Sequence, residues 1–451
     1  MTGRFFRLRT LRQLATLVGW VVVWALSPVH ADESNRSESL ILDLLITNAQ
    51  IFDGRDALAG GPYQVHIQGQ KIIAITATDS PVDAKQHIDA EGRWLIPGLI
   101  DAHVHPSIPL GFLALRDADP NYIAYRSAVT AEQMLRRGFT TVRDMGGPSF
   151  GLKRAIDEGL ILGPRIFPSG AMVSQTSGHG DFRSPGAGDA SGRDVMEQRG
   201  YGAIADGGSA VLAAVRSQLR QGASQIKVAA GGGLSSSYDP LDSVQYRADE
   251  LRAAVQAAED FGTYVAVHAY TPTAIRRSIE AGVKSIEHAH LIDEPTIKLM
   301  AERGVFLSPQ AYLFSGAAFP LTGKAQGIAA GLDQMMRWAK QYDLPVAFGT
   351  DVFGSPRIYG LQANEFSIRL RWFSALEVLR QATSGNARLL ALSGMRHPYR
   401  EGKLGVIEPG AWADVLLLDD NPLDDITLLE NAEQHIPLII KNGEIIKNTL
   451  K

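Results

Sequence analysis

The chain has 451 residues, 45% hydrophobic and 20% charged, enough for a large packed core and more than one domain. Its net charge of −4 gives no support to a nucleic-acid partner or to binding at an anionic membrane surface. Cysteine is absent, which excludes disulfides, thiolate metal ligands, a lipid-modified cysteine and a cysteine nucleophile; any metal must sit on nitrogen and oxygen.

Residues 1–31 have the three-part pattern of a secretory signal. Arg4, Arg7, Arg9 and Arg12 precede the apolar stretch LATLVGWVVVWAL, and SPVHA places Val29 and Ala31 for cleavage before Asp32. The apolar run is short of the ~20 residues a spanning helix needs. Cleavage removes four arginines and no acidic residue, which leaves a net charge of −8. The protein is therefore expected to be secreted or periplasmic, with no membrane association after cleavage.

Residues 41–95 read as short strands broken by Gly, Asp and Pro turns, as in LLITNAQIFDG and YQVHIQGQKIIAIT. Residues 404–447 read the same way, with GVIEPGAWADVLLLDD and PLIIKNGEIIKN. Neither piece closes its own sheet comfortably, so one small β-sandwich built from both chain ends is expected.

Between them, over 96–395, eight strand-like segments follow in order: LIPGLIDAHVH, TTVRDM, RIFPSG, QIKVAA, TYVAVHAY, SIEHA, VFLSPQ and PVAFGTD. Helical stretches such as RADELRAAVQAAEDFG, PTAIRRSIEAG and EPTIKLMAERG alternate with them, with apolar residues at three- and four-residue spacing. This alternation predicts an α/β fold, a (β/α)8 TIM barrel with its chemistry at the C-terminal strand ends. Gly- and Ser-rich loops at 171–209 and 231–243 fall on that face.

Five of these segments end in residues suited to holding metal. His103 and His105, at i and i+2 on a strand, point the same way and can share one ion. His268 and His288 close two successive strands, with His290 as a competitor for the second position. Lys227 lies inside apolar QIKVAA, where its charge must be paired or removed. A neutral lysine amine can add carbon dioxide and become a carbamate, a carboxylate-like bridge between two ions. Asp351 ends the last strand after Gly349-Thr350 and suits both metal binding and proton transfer.

The set HVH, Lys227, His268, His288 and GTD, flanked by a two-ended sandwich, resembles the amidohydrolase superfamily over nearly the whole mature chain. SGHGDFR at 177–183, GGGLSSSYDPLD at 231–242, HAYT at 268–271 and SIEHAHLID at 285–293 are similar to its prolidase-like branch. That branch contains metallo-dipeptidases and carboxypeptidases, and enzymes that hydrolyse the amide of ochratoxin are also similar to it. The resemblance implies two divalent metal ions, usually zinc. His103, His105 and Asp351 would hold one, His268 and His288 the other, and carbamylated Lys227 would bridge them. It also implies that His179 and Tyr270 face the substrate, alongside Asp351 as the proton carrier. One departure is Ala289-His290, where a glycine and a non-histidine residue are expected.

The function expected is hydrolysis of a small amide: a dipeptide, a C-terminal residue or an N-acyl amino acid. The alternative is a mononuclear deaminase or cyclic-amide hydrolase of imidazolonepropionase type, which has no need of a bridging carbamate. Arg183 could meet a substrate carboxylate or pair with Asp181, and Asp239 and Asp242 could favour a basic residue or simply shape turns. Homo-oligomerisation is left open.

Overall fold

The computed structural model describes residues 41–77, 82–184, 186, 193–236 and 238–450. The signal segment expected at 1–31 lies outside the described residues. The first five strands are β1 (Leu42–Ile51), β2 (Tyr63–Gln68), β3 (Lys71–Thr76), β4 (Ala84–Asp89) and β5 (Trp94–Pro97). The central set comprises β6 (Leu99–Val104), β7 (Phe139–Asp144), β8 (Arg165–Phe167), β9 (Met172–Ser174), β10 (Gly202–Ile204), β11 (Ile226–Ala229), β12 (Val265–Ala269), β13 (Ser285–His288) and β14 (Phe306–Ser308). The chain ends in β15 (Val415–Leu418), β16 (Leu438–Lys441) and β17 (Glu444–Asn448).

Both chain ends do build one structure: an eight-stranded sheet ordered β17-β16-β15-β5-β1-β2-β3, with β4 parallel to β1. The long β1 pairs with β2 and β4 through its first half and with β5 through Gln50 and Ile51. Inward residues of both halves, such as Ile46, Val65 and Ile88 with Leu95, Val415 and Ile440, share one buried cluster. Alternation along each strand supplies that face, as period-two side-chain placement requires.

In the central set, β6, β7 and β8 pair in parallel, and β9, β11, β12, β13 and β14 form a second parallel run. The single strand expected at RIFPSG is instead broken. Pro168 lacks a donor and Gly170 adopts a φ of 73°, so pairing with β7 stops at Phe167 and pairing with β11 resumes at Val173. The Pro168 carbonyl is still used, accepting from Ser224 N at 2.7 Å. The loop expected across 171–209 likewise contains two short strands, with β10 paired only to β9.

The last segment, PVAFGTD, forms bridges rather than a regular ladder. Leu307 N donates to Pro345 O at 3.0 Å, Ala102 N to Phe348 O at 2.8 Å, and Asp351 N to His103 O at 2.7 Å. These bonds return the circuit to β6. Gly349 is needed there, because a Cβ would crowd Ser308 Oγ at 2.8 Å and the His103 Cβ at 2.9 Å.

Helices Pro120–Arg136, Phe150–Asp157, Gly208–Gln221, Ala248–Glu259, Pro272–Ala281, Glu294–Glu302 and Lys324–Gln341 alternate with the strands. Their ends follow from local sequence. Pro272 occupies the first turn after Thr271, and Gly282 closes the same helix at a φ of 106°. Asp119 caps Pro120–Arg136 by accepting from Asn121 N and Tyr122 N. Among the described residues no helix is long and apolar enough to cross a membrane.

Candidate active site

His103, His105, His179, Lys227, His268, Tyr270, His288 and Asp351 line one cavity of about 220 Å³ together with apolar side chains. A larger groove of about 1170 Å³ shares no lining residue with it. Three of its cations are engaged in ion pairs: Arg55 and Lys403 with Glu408, and Arg380 with Asp56.

His103 and His105 project from the end of β6, their ring centroids 5.4 Å apart. Asp351 reaches both: Oδ1 lies 3.0 Å from His105 Nε2 and 3.5 Å from His103 Nε2. The far nitrogen of each ring is held. His103 Nδ1 lies 2.8 Å from Glu287 Oε2, and His105 Nδ1 lies 3.0 Å from the Gly146 carbonyl. Those acceptors favour a proton on Nδ1, which leaves each Nε2 lone pair for a cation. The three side chains offer ligand atoms all within 4.8 Å of one another, so nitrogen and carboxylate donors fit a single divalent ion.

On the opposite wall, the His268 and His288 centroids are 4.5 Å apart, and His288 is 5.3 Å from His103. His268 Nε2 meets the Gly232 carbonyl at 3.1 Å, while His288 Nδ1 is buried with no partner among the described residues. Burial, reinforced by neighbouring rings and Lys227, holds both imidazoles well below the usual histidine range, so they are neutral and competent as ligands.

Lys227 sits mid-β11 with 2% of its surface exposed. Burial lowers its ammonium to about 8, opposed by Glu287 and Asp351, which act on it through space and not through hydrogen bonds. A buried ion pair therefore does not explain it. For Asp351, burial disfavours charge, but His103, His105 and Lys227 outweigh this and bring the carboxyl to about 2. Burial raises the Tyr270 phenol well above its ordinary value, so it remains a donor.

His179 stacks on His268 at 4.1 Å between centroids. Its Nε2 lies 3.3 Å from Ser235 Oγ and its Nδ1 3.4 Å from Asp239 Oδ2. Gly233 makes room for this ring, since a Cβ there would overlap it. Asp239 is committed inward, accepting from Gly233 N at 2.8 Å and Gln245 Nε2 at 3.1 Å, and so offers nothing to a basic substrate. Arg183 pairs with Asp181 at 2.7 Å. His288 lines the cavity and His290 does not; His290 lies against Phe314 at 4.6 Å. Ala289 has a φ of 58°, a conformation glycine adopts with less strain, which gives the expectation of glycine there a physical reason.

Sequence reasoning passed over the groups beneath the histidines. Glu287 and Arg143 are both fully buried and paired at 2.8 Å, and Arg143 also meets Tyr264 at 3.1 Å. Their signal was a glutamate in SIEHA and an arginine in TTVRDM, charged residues inside apolar strands. Asp101 is a third. It accepts from Thr350 Oγ1 at 2.6 Å and Gln362 Nε2 at 2.9 Å, and burial raises it to about 7.

Comparison with known proteins agrees with this geometry. The defining pattern of the amidohydrolase family matches residues 94–446. Ochratoxinase of Aspergillus niger is 32% identical over 401 residues, covering 84% of this chain and 81% of that protein. A solved prolidase complexed with N-methylphosphonate-L-proline superposes with a TM-score of 0.81 at 35% identity, covering 90% of this chain and all of that one. A Xaa-Pro dipeptidase with methionine bound in its active site gives 0.78 at 30% identity, with the same coverage. This chain belongs to the amidohydrolase family and is a hydrolase acting on C–N bonds.

Proposed function

We propose that the protein is an exported binuclear amidohydrolase that cleaves the amide or peptide bond of dipeptides, C-terminal residues or N-acyl amino acids. The site would stand at the mouth of a (β/α)8 barrel flanked by a small β-sandwich. The observation that carries this reading is Lys227, a fully enclosed lysine without an ion pair among the described residues, in one cavity with two separate pairs of histidines. A carbamate formed on its neutral amine would bridge two ions, one held by His103, His105 and Asp351, the other by His268 and His288. The mononuclear deaminase alternative leaves that lysine without a purpose.

Two divalent cations, zinc by expectation, would supply an activated water and polarise the scissile carbonyl. Asp351, ionised and facing His105, takes the proton released on attack and returns it to the departing nitrogen. Tyr270 and His179, beside His288 and His268, donate hydrogen bonds to the developing oxyanion. The relatives support the substrate class, since the related prolidase binds N-methylphosphonate-L-proline.

The test is metal content and hydrolysis measured together on protein loaded with zinc and bicarbonate. Two metals per chain and release of an amino acid are expected, with Lys227→Ala losing tight binding of the pair. One metal with ammonia release, or two metals retained at full activity in Lys227→Ala, would overturn the reading.

A further inference from the structure

Away from the histidines, rings make up much of the cavity wall, alongside aliphatic side chains such as Ile108, Leu234 and Leu313. Phe112 begins the helix Phe112–Asp117, Phe182 follows the turn that carries His179, and Phe353 stands two residues beyond Asp351. These three elements are remote in sequence, yet the rings converge. Phe112 and Phe182 have centroids 5.0 Å apart, Phe112 and Phe353 5.6 Å, and Phe353 meets the His105 edge at 5.7 Å. All three rings are half-buried and line the cavity. Phe314 and Phe319 form part of the remaining wall.

Charge is missing from this wall. Apart from Lys227, no lysine or arginine lines the cavity among the described residues, and Arg183 nearby is bound by Asp181. The neighbouring sequence 185–192, PGAGDASG, contains no cation either. Size narrows the choice further. A dry cavity of ~150 Å³ admits benzene, and drug-sized ligands occupy ~300 Å³ or more. About 220 Å³ holds one ring with a short polar group beside it.

We propose that Phe112, Phe182 and Phe353 form a specificity pocket for an uncharged aromatic ring, so that the substrate is a compact amide bearing such a ring next to the scissile bond. That the ring belongs to an amide rests on the function proposed above; that the pocket takes a ring does not. A fourth ring at 4.5–7 Å from these three gains edge-to-face and offset contacts beyond simple burial. A carboxylate on the ring meets no lysine or arginine on this wall and loses its hydration.

Inert probes separate the two claims. Benzyl alcohol, 1-hexanol and 4-(hydroxymethyl)benzoate are titrated into the metal-free full chain, where no zinc can capture the carboxylate, and followed by ligand-observed NMR. Benzyl alcohol is expected to bind at least tenfold tighter than either of the others. Phe182→Leu and Phe112→Leu, which keep apolar volume and so protect folding, are expected to reduce the preference over hexanol at least fivefold. Equal binding of benzyl alcohol and hexanol, equal binding of the carboxylate, or an unchanged preference in both variants would overturn the pocket. Hydrolysis of N-acetyl-L-phenylalanine, which releases an amino acid, is then assayed on the zinc-loaded chain. Ring-selective binding without any hydrolysis would sink the amide reading and leave the pocket standing.

Discussion

Replacing Glu287 by glutamine tests whether the layer under the metal site does more than fill space. Glu287 is fully buried and accepts from Arg143 at 2.8 and 3.0 Å and from His103 Nδ1 at 2.8 Å. Burial opposes its charge, yet Arg143 and His103 outweigh it and hold the carboxyl far below the ordinary range. Glutamine keeps the shape and one acceptor, but leaves a fully enclosed guanidinium without an anion. Breaking a buried pair costs ~3–5 kcal/mol, and the retained amide acceptor places the expected loss near the lower end. Loss of the anionic partner of a ligating histidine lowers metal affinity ~10–100-fold. Urea unfolding of the metal-free protein and zinc competition against a chelator measure the two effects separately. Adding Arg143→Met to Glu287→Gln should restore most of the stability and none of the zinc affinity, because the stranded cation is gone while His103 still lacks its anionic partner. The sign with pH follows from a depressed carboxyl: its stabilisation is complete above the unfolded value of ~4.3 and is lost as pH falls below it. A stability loss under about 1 kcal/mol with zinc affinity intact would refute this account.

Lys227 adds carbon dioxide only as the neutral amine, and burial lowers it to about 8, so that fraction is lost as pH falls. With dissolved carbon dioxide held constant, reactivation of metal-free protein by zinc should therefore speed up about tenfold per pH unit from 6 toward 8 and then level off; a flat profile would remove the carbamate. Asp351→Asn should keep most of the zinc and cut kcat by orders of magnitude, read by parallel metal analysis and turnover. Ala289→Gly should raise stability by roughly 0.5–1 kcal/mol, because the left-handed φ of 58° strains alanine more than glycine. A lower unfolding midpoint in that variant would show that the strain is not relieved.

The residues that line the cavity were legible because each closes an apolar strand, where a histidine or lysine is conspicuous. His103, His105, Lys227, His268 and His288 needed only strand periodicity and chain order to be grouped. Tyr270 and His179 were legible through resemblance alone, since neither Gly-rich SGHGD nor HAYT states a direction for its side chain. The break between β8 and β9 was partly written in Pro168 and Gly170, but whether a strand resumes after such a pair depends on its neighbour β11. Glu287 and Arg143 lay in plain sight in SIEHA and TTVRDM; what sequence could not convey is that β7 and β13, 144 residues apart, turn them toward each other. The Phe112, Phe182 and Phe353 wall was invisible for the same reason, because isolated aromatics at a helix start or in loops have no period to read.

The site's geometry depends on backbone that most residues avoid. His288, Ala289 and Asp351 all have positive φ, at 80°, 58° and 57°. Each such residue costs of order 1 kcal/mol or more, and persists only where its surroundings over-determine it. Here they do. Ala289 N donates to Ala269 O at 2.9 Å, and Asp351 N donates to His103 O at 2.7 Å, so the strands on either side fix both turns. A strand that continued extended past His288 or Thr350 would send the next side chains to alternate faces along the sheet. The left-handed turn instead ends the strand at the residue that must face the cavity. Histidine and aspartate tolerate that conformation better than β-branched residues do, so the residue types demanded by metal chemistry also suit the backbone that presents them.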